Sequence, residues 1–287
     1  MSAPNSSTNN IIVTNSNPIG IFDSGVGGLS VLREIKTLLP AENLIYIADQ
    51  AHVPYGPRSI TEIRQFSQAI IEFLCQQDAK MIVVACNTAT AAALTYLRET
   101  FPHISFVGME PAVKPAAQQT KTGHVGVLAT AATIKSERYA ALMHRFAQNV
   151  IVYEDPCIGL VKAIEAGEID SLNTTELLQS ILMPMQTHDV DTFVLGCTHY
   201  PFVLPIIKRI VGTAVSIIDP APAVARQTKR ILEKEGLLNI NEGISSIRFI
   251  TTGEQHQLQQ FVRHVLQYND EVETAVWHNG QHLHSHR

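Results

Sequence analysis

Two cysteines stand at matching places in this chain. Cys86 lies in Met81-Ile-Val-Val-Ala-Cys-Asn-Thr-Ala-Thr90, where a short apolar run gives way to small polar residues. Cys197 lies in Phe193-Val-Leu-Gly-Cys-Thr-His-Tyr-Pro201, where the same change occurs. Runs this short suit a strand buried on both faces better than a helix. A thiol at the polar exit of such a strand, beside a helix start, sits in surroundings that favour the thiolate. Nucleophilic cleavage would need only one such thiol with a paired base and an oxyanion hole. Two thiols facing across a cleft suit another reaction: a proton is taken from one face of a carbon and returned on the other, inverting a stereocentre. Asp23, at the exit of the first strand, could position or deprotonate Cys86. His199, two residues after Cys197, is the natural helper on the second side. Cys75 falls on an amphipathic helix and is expected to be an ordinary buried thiol. Cys157, after Asp155-Pro156, could be either structural or functional.

Positioning two such thiols requires two strand-to-helix exits. Pro18-Ile-Gly-Ile-Phe22 predicts a buried strand, followed by the glycine-rich turn Asp23-Ser-Gly-Val-Gly-Gly28 and a helix over 29–39. That turn lacks the Lys-Ser/Thr of a P-loop and the spacing of a dinucleotide fingerprint. It reads either as a tight turn or as a cradle of backbone N–H groups for a small anion such as a carboxylate. A second strand is predicted over 43–47, then a loop with His52, Pro54, Tyr55 and Gly56. A helix over 59–77 follows, with apolar Ile63, Phe66, Ile70, Ile71 and Leu74 behind a Ser59 cap. With the Cys86 strand, its helix and a strand at Phe106, this alternation is the mark of a parallel sheet with right-handed crossovers. Ligands collect at the carboxyl ends of strands in such sheets.

The second half echoes the first. Val125-Gly-Val-Leu-Ala-Thr130 matches Ile19-Gly-Ile-Phe-Asp-Ser24, Ile151-Val-Tyr-Glu-Asp155 matches Ile45-Tyr-Ile-Ala-Asp49, Cys197 matches Cys86, and Ile218-Asp-Pro-Ala221 matches Met109-Glu-Pro-Ala112. The order is preserved, which argues for two units of one design. Ala129 stands where the first half has Asp23, so the halves are not chemically identical. The expected fold class is α/β, with two similar parallel-sheet domains related by a pseudo-twofold duplication and facing across a central cleft. Residues 19–110 and 220–270 are expected to make the first domain, with Asp23 and Cys86. Residues 111–219 make the second, with Cys197 and His199. The late strand near Ile247 crosses back to the first. Residues 1–18 read as a flexible polar leader and 271–287, with His278, His282, His284 and His286, as a mobile tail.

At 287 residues with 45% apolar composition the chain can bury a sizeable core. A net charge of −5 without a basic stripe argues against nucleic acid as the main partner. No apolar run approaches a membrane span. The polar start lacks the pattern of a secretory signal, so the cysteines are expected to be reduced thiols in the cytoplasm. There is no C-x-x-C, and Cys197-Thr-His199 is not a zinc spacing, so no metal is expected.

The turn Asp23-Ser-Gly-Val-Gly-Gly, Ala48-Asp49 with Pro54-Tyr55-Gly56, Ala85-Cys-Asn-Thr-Ala, and Leu195-Gly-Cys-Thr-His-Tyr-Pro201 together resemble the signatures of glutamate racemases, within the wider Asp/Glu racemase superfamily. The resemblance runs from about Pro18 to about Gly253. It implies a cofactor-independent isomerase that interconverts L- and D-glutamate and supplies D-glutamate to peptidoglycan. It assigns the D-enantiomer to Cys86 and the L-enantiomer to Cys197, assisted by Asp23 and His199. Substrate contacts carry over to Asp23, Ser24, Tyr55, Gly56, Asn87, Thr88, Thr198 and His199, with Asp49 and Glu165 as accessory candidates. Glu165 sits in a segment that departs from the commoner family form, and its own surroundings predict a surface helix acid. A homodimer is expected. Some members take a peptidoglycan-precursor activator, which makes such a molecule a candidate partner. Two readings compete: an aspartate racemase or related isomerase using the same thiols, and an amino-acid-binding or regulatory module with a degenerate site. A binding module has no need of two facing thiols.

Overall fold

A computed structural model describes residues 14–240, 245–280 and 282–285. The first part of the chain runs through β1 (Ile19–Asp23), α1 (Leu29–Leu38), β2 (Leu44–Ala48), α2 (Ile60–Gln76), β3 (Met81–Val84), α3 (Asn87–Thr100), β4 (Ser105–Gly108) and α4 (Val113–Gln119). The middle holds β5 (His124–Ala129), α5 (Ala131–Ile134), α6 (Glu137–Phe146), β6 (Ile151–Asp155), α7 (Leu160–Glu165), α8 (Leu172–Gln186) and β7 (Thr192–Gly196). It closes with α9 (Leu204–Val211), β8 (Ser216–Ile218), α10 (Ala221–Glu235), β9 (Ile247–Thr251), α11 (Gln255–Leu266), β10 (Val272–His278) and β11 (His282–Ser285).

Local chemistry accounts for the elements that matter to the site. β1, β2, β3 and β7 are buried along their whole length, as continuous apolar runs between covering helices should be. α2 starts on a complete capping box, in which the Ser59 side chain accepts from the Glu62 N–H and the Glu62 carboxylate accepts from the Ser59 N–H. Its Ile63, Ile70, Ile71 and Leu74 are buried.

The strands form two sheets. One has the order β11-β10-β9-β2-β1-β3-β4 and the other β6-β5-β7-β8. The order β2-β1-β3-β4 is thus repeated as β6-β5-β7-β8, all parallel. The registers correspond as well: Phe22 pairs with Val84, two residues before Cys86, and Leu128 pairs with Leu195, two residues before Cys197. The chain passes between the sheets near Glu110 and again after Ile218, where α10 packs back on α1 and β9 pairs with β2.

Three expectations need correction. The tail expected from residue 271 onward is built into the first sheet: β10 pairs in parallel with β9, and β11 folds back on β10. Val272, Ala275 and Leu283 are buried, and burying those side chains outweighs the polarity of the histidines between them. The leader is tied down at its end, since Lys80 Nζ donates to the Asn15 carbonyl and Asn43 Nδ2 to the Ser16 carbonyl at 2.8 Å; residues 1–13 lie outside the described residues. Finally, no α-helix starts at Cys197. A 3-10 turn, Tyr200–Val203, intervenes, because Pro201 and Pro205 delay the helix to α9.

Candidate active site

Cys86 is the N-cap of α3. Its backbone is extended, and its Sγ accepts from the Ala89 N–H at 3.4 Å. The helix dipole and that N–H favour negative charge on the sulfur. The thiol lies 3.8 Å from Ser24 Oγ, toward which it donates. Burial, and then the nearby Asp23 carboxylate, push the Cys86 thiol well above its ordinary value. Asp23 is fully buried, and burial lifts its carboxyl above the usual range despite the opposing charge of His199. Burial thus disfavours the anion on both groups, and Asp23 is the buried carboxyl beside the Cys86 thiol.

Cys197 is arranged differently. With no helix N-terminus to lean on, its Sγ faces His199 Nδ1 at 3.7 Å. The other ring nitrogen, Nε2, is 2.6 Å from Glu165 Oε1. Burial alone would push His199 down, but its bonds to Cys197 and Glu165 outweigh it and hold the imidazole well above its ordinary value. For Glu165 burial acts upward, yet His199, the Val26 N–H and Gln50 bring it below the usual carboxylate range. The outcome is a buried imidazolium–carboxylate pair. Glu165 is therefore not the surface acid its surroundings predicted. It reaches across at the end of α7, and its Oε1 accepts from Val26 N at 2.8 Å while Oε2 accepts from Gln50 Nε2 at 3.1 Å.

The glycine-rich turn is a cradle, but for the protein's own anions. Ser24 N and Gly28 N donate to the Asp23 carboxylate, and Val26 N donates to Glu165. Glycine is needed here for space. A Cβ on Gly25 would lie 1.9 Å from Glu165 Oε1, and one on Gly27 would lie 2.4 Å from His199 Nδ1. Thr198 Oγ1 donates to Asp23 Oδ2 at 3.2 Å, so the carboxyl beside the first thiol is held by the strand exit that carries the second.

One cavity brings the pieces together. Ser24, Tyr55, Gly56, Cys86, Asn87, Thr88, Cys197, Thr198 and His199 all line it, as do Pro54, Thr130 and Val161. Its volume is about 20 Å³, room for little more than one water-sized molecule. Asn87 is 2% exposed, and neither its Oδ1 nor its Nδ2 has a hydrogen-bond partner among the described residues. Each such orphaned group costs about 1–3 kcal/mol, which a ligand could recover. Thr130 was not picked out by sequence reading, although it echoes Ser24 in the duplication; its Oγ1 is 2.9 Å from Thr88 Oγ1 across the cleft. Asp49 lies outside the cavity and acts on its wall: Tyr55 OH donates to Asp49 Oδ2 at 2.6 Å. A separate cavity of about 470 Å³, bordered by Arg98, Glu110, Arg138 and Pro220 where the chain passes between the sheets, contains neither thiol.

Residues 19–228 match the family model described as Asp/Glu/hydantoin racemase. The chain is 50% identical over 245 residues to a glutamate racemase of Pseudomonas paraeruginosa, an alignment covering 85% of this chain and 92% of that one. It is similar to the solved structure of a Francisella tularensis glutamate racemase in complex with D-glutamate, with a TM-score of 0.79 at 31% identity, over 92% of this chain and 98% of that one. It is also similar to the Escherichia coli glutamate racemase solved with L-glutamate and the activator UDP-MurNAc-Ala, with a TM-score of 0.77 at 34% identity, over 90% and 97% of the two chains.

Proposed function

The chain belongs to the Asp/Glu/hydantoin racemase family, and from that membership we propose that it interconverts L- and D-glutamate with Cys86 and Cys197 as the two acid–base groups. The observation that carries this reading is the pair of buried thiols lining one cavity, each with its own proton partner: Asp23 and Ser24 for Cys86, His199 and Glu165 for Cys197. Relatives named as glutamate racemases, at about half identity over most of the chain, support the choice of glutamate over aspartate.

The chemistry balances without an added reactant. Cys86, as thiolate, takes the α-proton of D-glutamate, and the electron pair left behind spreads onto the α-carboxylate. The Cys197 thiol gives its proton to the opposite face, leaving L-glutamate, a Cys86 thiol and a Cys197 thiolate. The reverse reaction runs the same path. The α-proton of an amino acid is weakly acidic, so developing charge on the carboxylate needs fixed donors in a water-poor site. The Asn87 amide, the Thr88 and Thr198 hydroxyls and the backbone at Gly56 are the groups assigned to that task. A cavity of about 20 Å³ cannot admit glutamate as it stands, so the two sheet units must part and close again. Crossovers near residues 110 and 220 are the proposed hinge, dividing the chain into 19–110 with the residues from 220 onward, the β10–β11 hairpin included, and 111–219.

D-Glutamate formed this way would feed peptidoglycan synthesis in the cytoplasm, and the enzyme would act as a homodimer. A peptidoglycan-precursor activator like that of the Escherichia coli relative is a candidate regulator. Loss of circular dichroism from D-glutamate in D2O, without cofactor, tests the reading, with Cys86→Ser and Cys197→Ser run alongside. Racemisation by the wild type and none at comparable rate by either variant is the expected result. A flat wild-type trace, with and without activator, would overturn it.

A further inference from the structure

The loop that carries Tyr55 and Gly56 to the cavity is not held by its neighbours in sequence alone. Asp49, fully buried, gathers donors from three parts of the chain. Tyr55 OH reaches Oδ2 at 2.6 Å, with His52 Nδ1 at 2.9 Å from the same oxygen. Thr252 Oγ1, just past β9, donates to Oδ1 at 2.7 Å. The Trp277 indole N–H, from β10, donates to Oδ1 at 2.8 Å. The rings pack as a group around these bonds. His52 stacks on Phe66 at 3.8 Å between centroids, Trp277 meets the edge of His52 at 4.9 Å, and Phe66 touches Tyr55 at 5.9 Å. A carboxylate has two oxygens and about four acceptor positions, so these four donors fill it. Removing one leaves a buried charge under-satisfied and frees the others to shift.

Trp277 lies beyond residue 228, where the family match ends, in the hairpin that sequence composition assigned to a mobile end. We propose that the β10–β11 hairpin belongs to the substrate-binding apparatus: Trp277, through Asp49, sets the position of the loop 52–57 and so of the Tyr55 and Gly56 wall. Trp277 is a positioning residue; it does not line the cavity. The proposal rests on the reading of that cavity as a glutamate site.

Trp277→Phe keeps a ring of similar shape and removes the N–H. A hairpin that only adds stability would lower the melting temperature and leave KM alone. A hairpin that positions the loop raises KM for both enantiomers by about tenfold while kcat changes by less than about threefold, since the loop binds and the thiols react. Trp277 is also the one tryptophan in the chain, so its emission reports this network directly. Titration of the wild type with D-glutamate is expected to give a saturable change in emission, half complete near KM. An active wild type whose Trp277→Phe variant folds and keeps both KM and kcat overturns the proposal. If that variant does not fold, the wild-type titration decides, and an emission unchanged at saturating D-glutamate overturns it. A wild type that does not racemise glutamate at all defeats the functional reading instead, so the two failures are distinct.

Discussion

At the scale of single residues, the two thiols are equivalent in sequence pattern and unequal in surroundings. Cys86 has a helix N-terminus and a raised carboxyl, while Cys197 has an imidazolium backed by Glu165. Linkage gives the second arrangement a pH signature. His199 is raised above 6.5, so its contribution to stability is complete below pH 6.5 and is lost as pH rises through the folded value. Glu165 is lowered below 4.5, so its contribution is complete above pH 4.5 and is lost as pH falls through the folded value. The melting temperature of wild type should therefore exceed that of Glu165→Gln most between pH 4.5 and 6.5. Melting both proteins from pH 3 to 9 checks this; a difference that does not vary with pH contradicts it. Asn87 yields a prediction of the opposite kind. Replacing its unpartnered amide by Ala should raise the melting temperature by about 2 °C while raising KM at least about tenfold. Thermal melts beside steady-state kinetics test both halves.

At the scale of elements, the site depends on how closely the β1–α1 turn approaches α7. Gly25→Ala would put a methyl group 1.9 Å from Glu165 Oε1, so the turn or the carboxylate must move. The expected result is a fall in kcat/KM of about a hundredfold with the circular dichroism of the fold retained. A variant with wild-type kinetics would show that the contact can be relaxed without affecting His199. Away from the site, Ser59→Ala breaks the capping box of α2 and should lower the melting temperature by about 2–4 °C without altering KM. These elements were legible because their signals are local. The Ser59 cap and the Ile63-Phe66-Ile70 stripe need only a few neighbouring residues to be read. The helix after Cys197 starts later than the strand-exit pattern implies because Pro201 and Pro205 set the backbone there.

At the scale of the molecule, the units meet around the cavity through polar contacts: Thr88 with Thr130, Thr198 with Asp23, and Glu165 with both Val26 and Gln50. Behind it, one buried apolar cluster joins Val26 and Leu29 of the first unit to Leu160, Ile164 and Tyr200 of the second. The polar contacts exchange for water at little net cost while the apolar cluster keeps the units joined, an arrangement that suits the proposed opening of the cleft on the cavity side. If that opening limits release, kcat should fall in proportion to relative viscosity in sucrose, while a slowed variant such as Cys86→Ser loses the dependence. A kcat indifferent to viscosity in both would place the slow step in the proton transfers. The α/β class, the repeated strand order and the cysteine pair were all within reach of sequence reading, because period, duplication and motif are written along the chain.

Sequence alone singled out the groups proposed to carry protons, Cys86, Cys197, Asp23 and His199, and placed them at strand exits. Tertiary structure decided what surrounds them. Glu165 joins His199, and Trp277 joins Asp49, only because separate strands and helices bring them within hydrogen-bond reach. Neither partner has a local pattern to announce it. Whether a carboxylate on a short helix is solvated or buried depends on what the rest of the fold lays over it, and burial is what turns an ordinary acid or indole into part of a site.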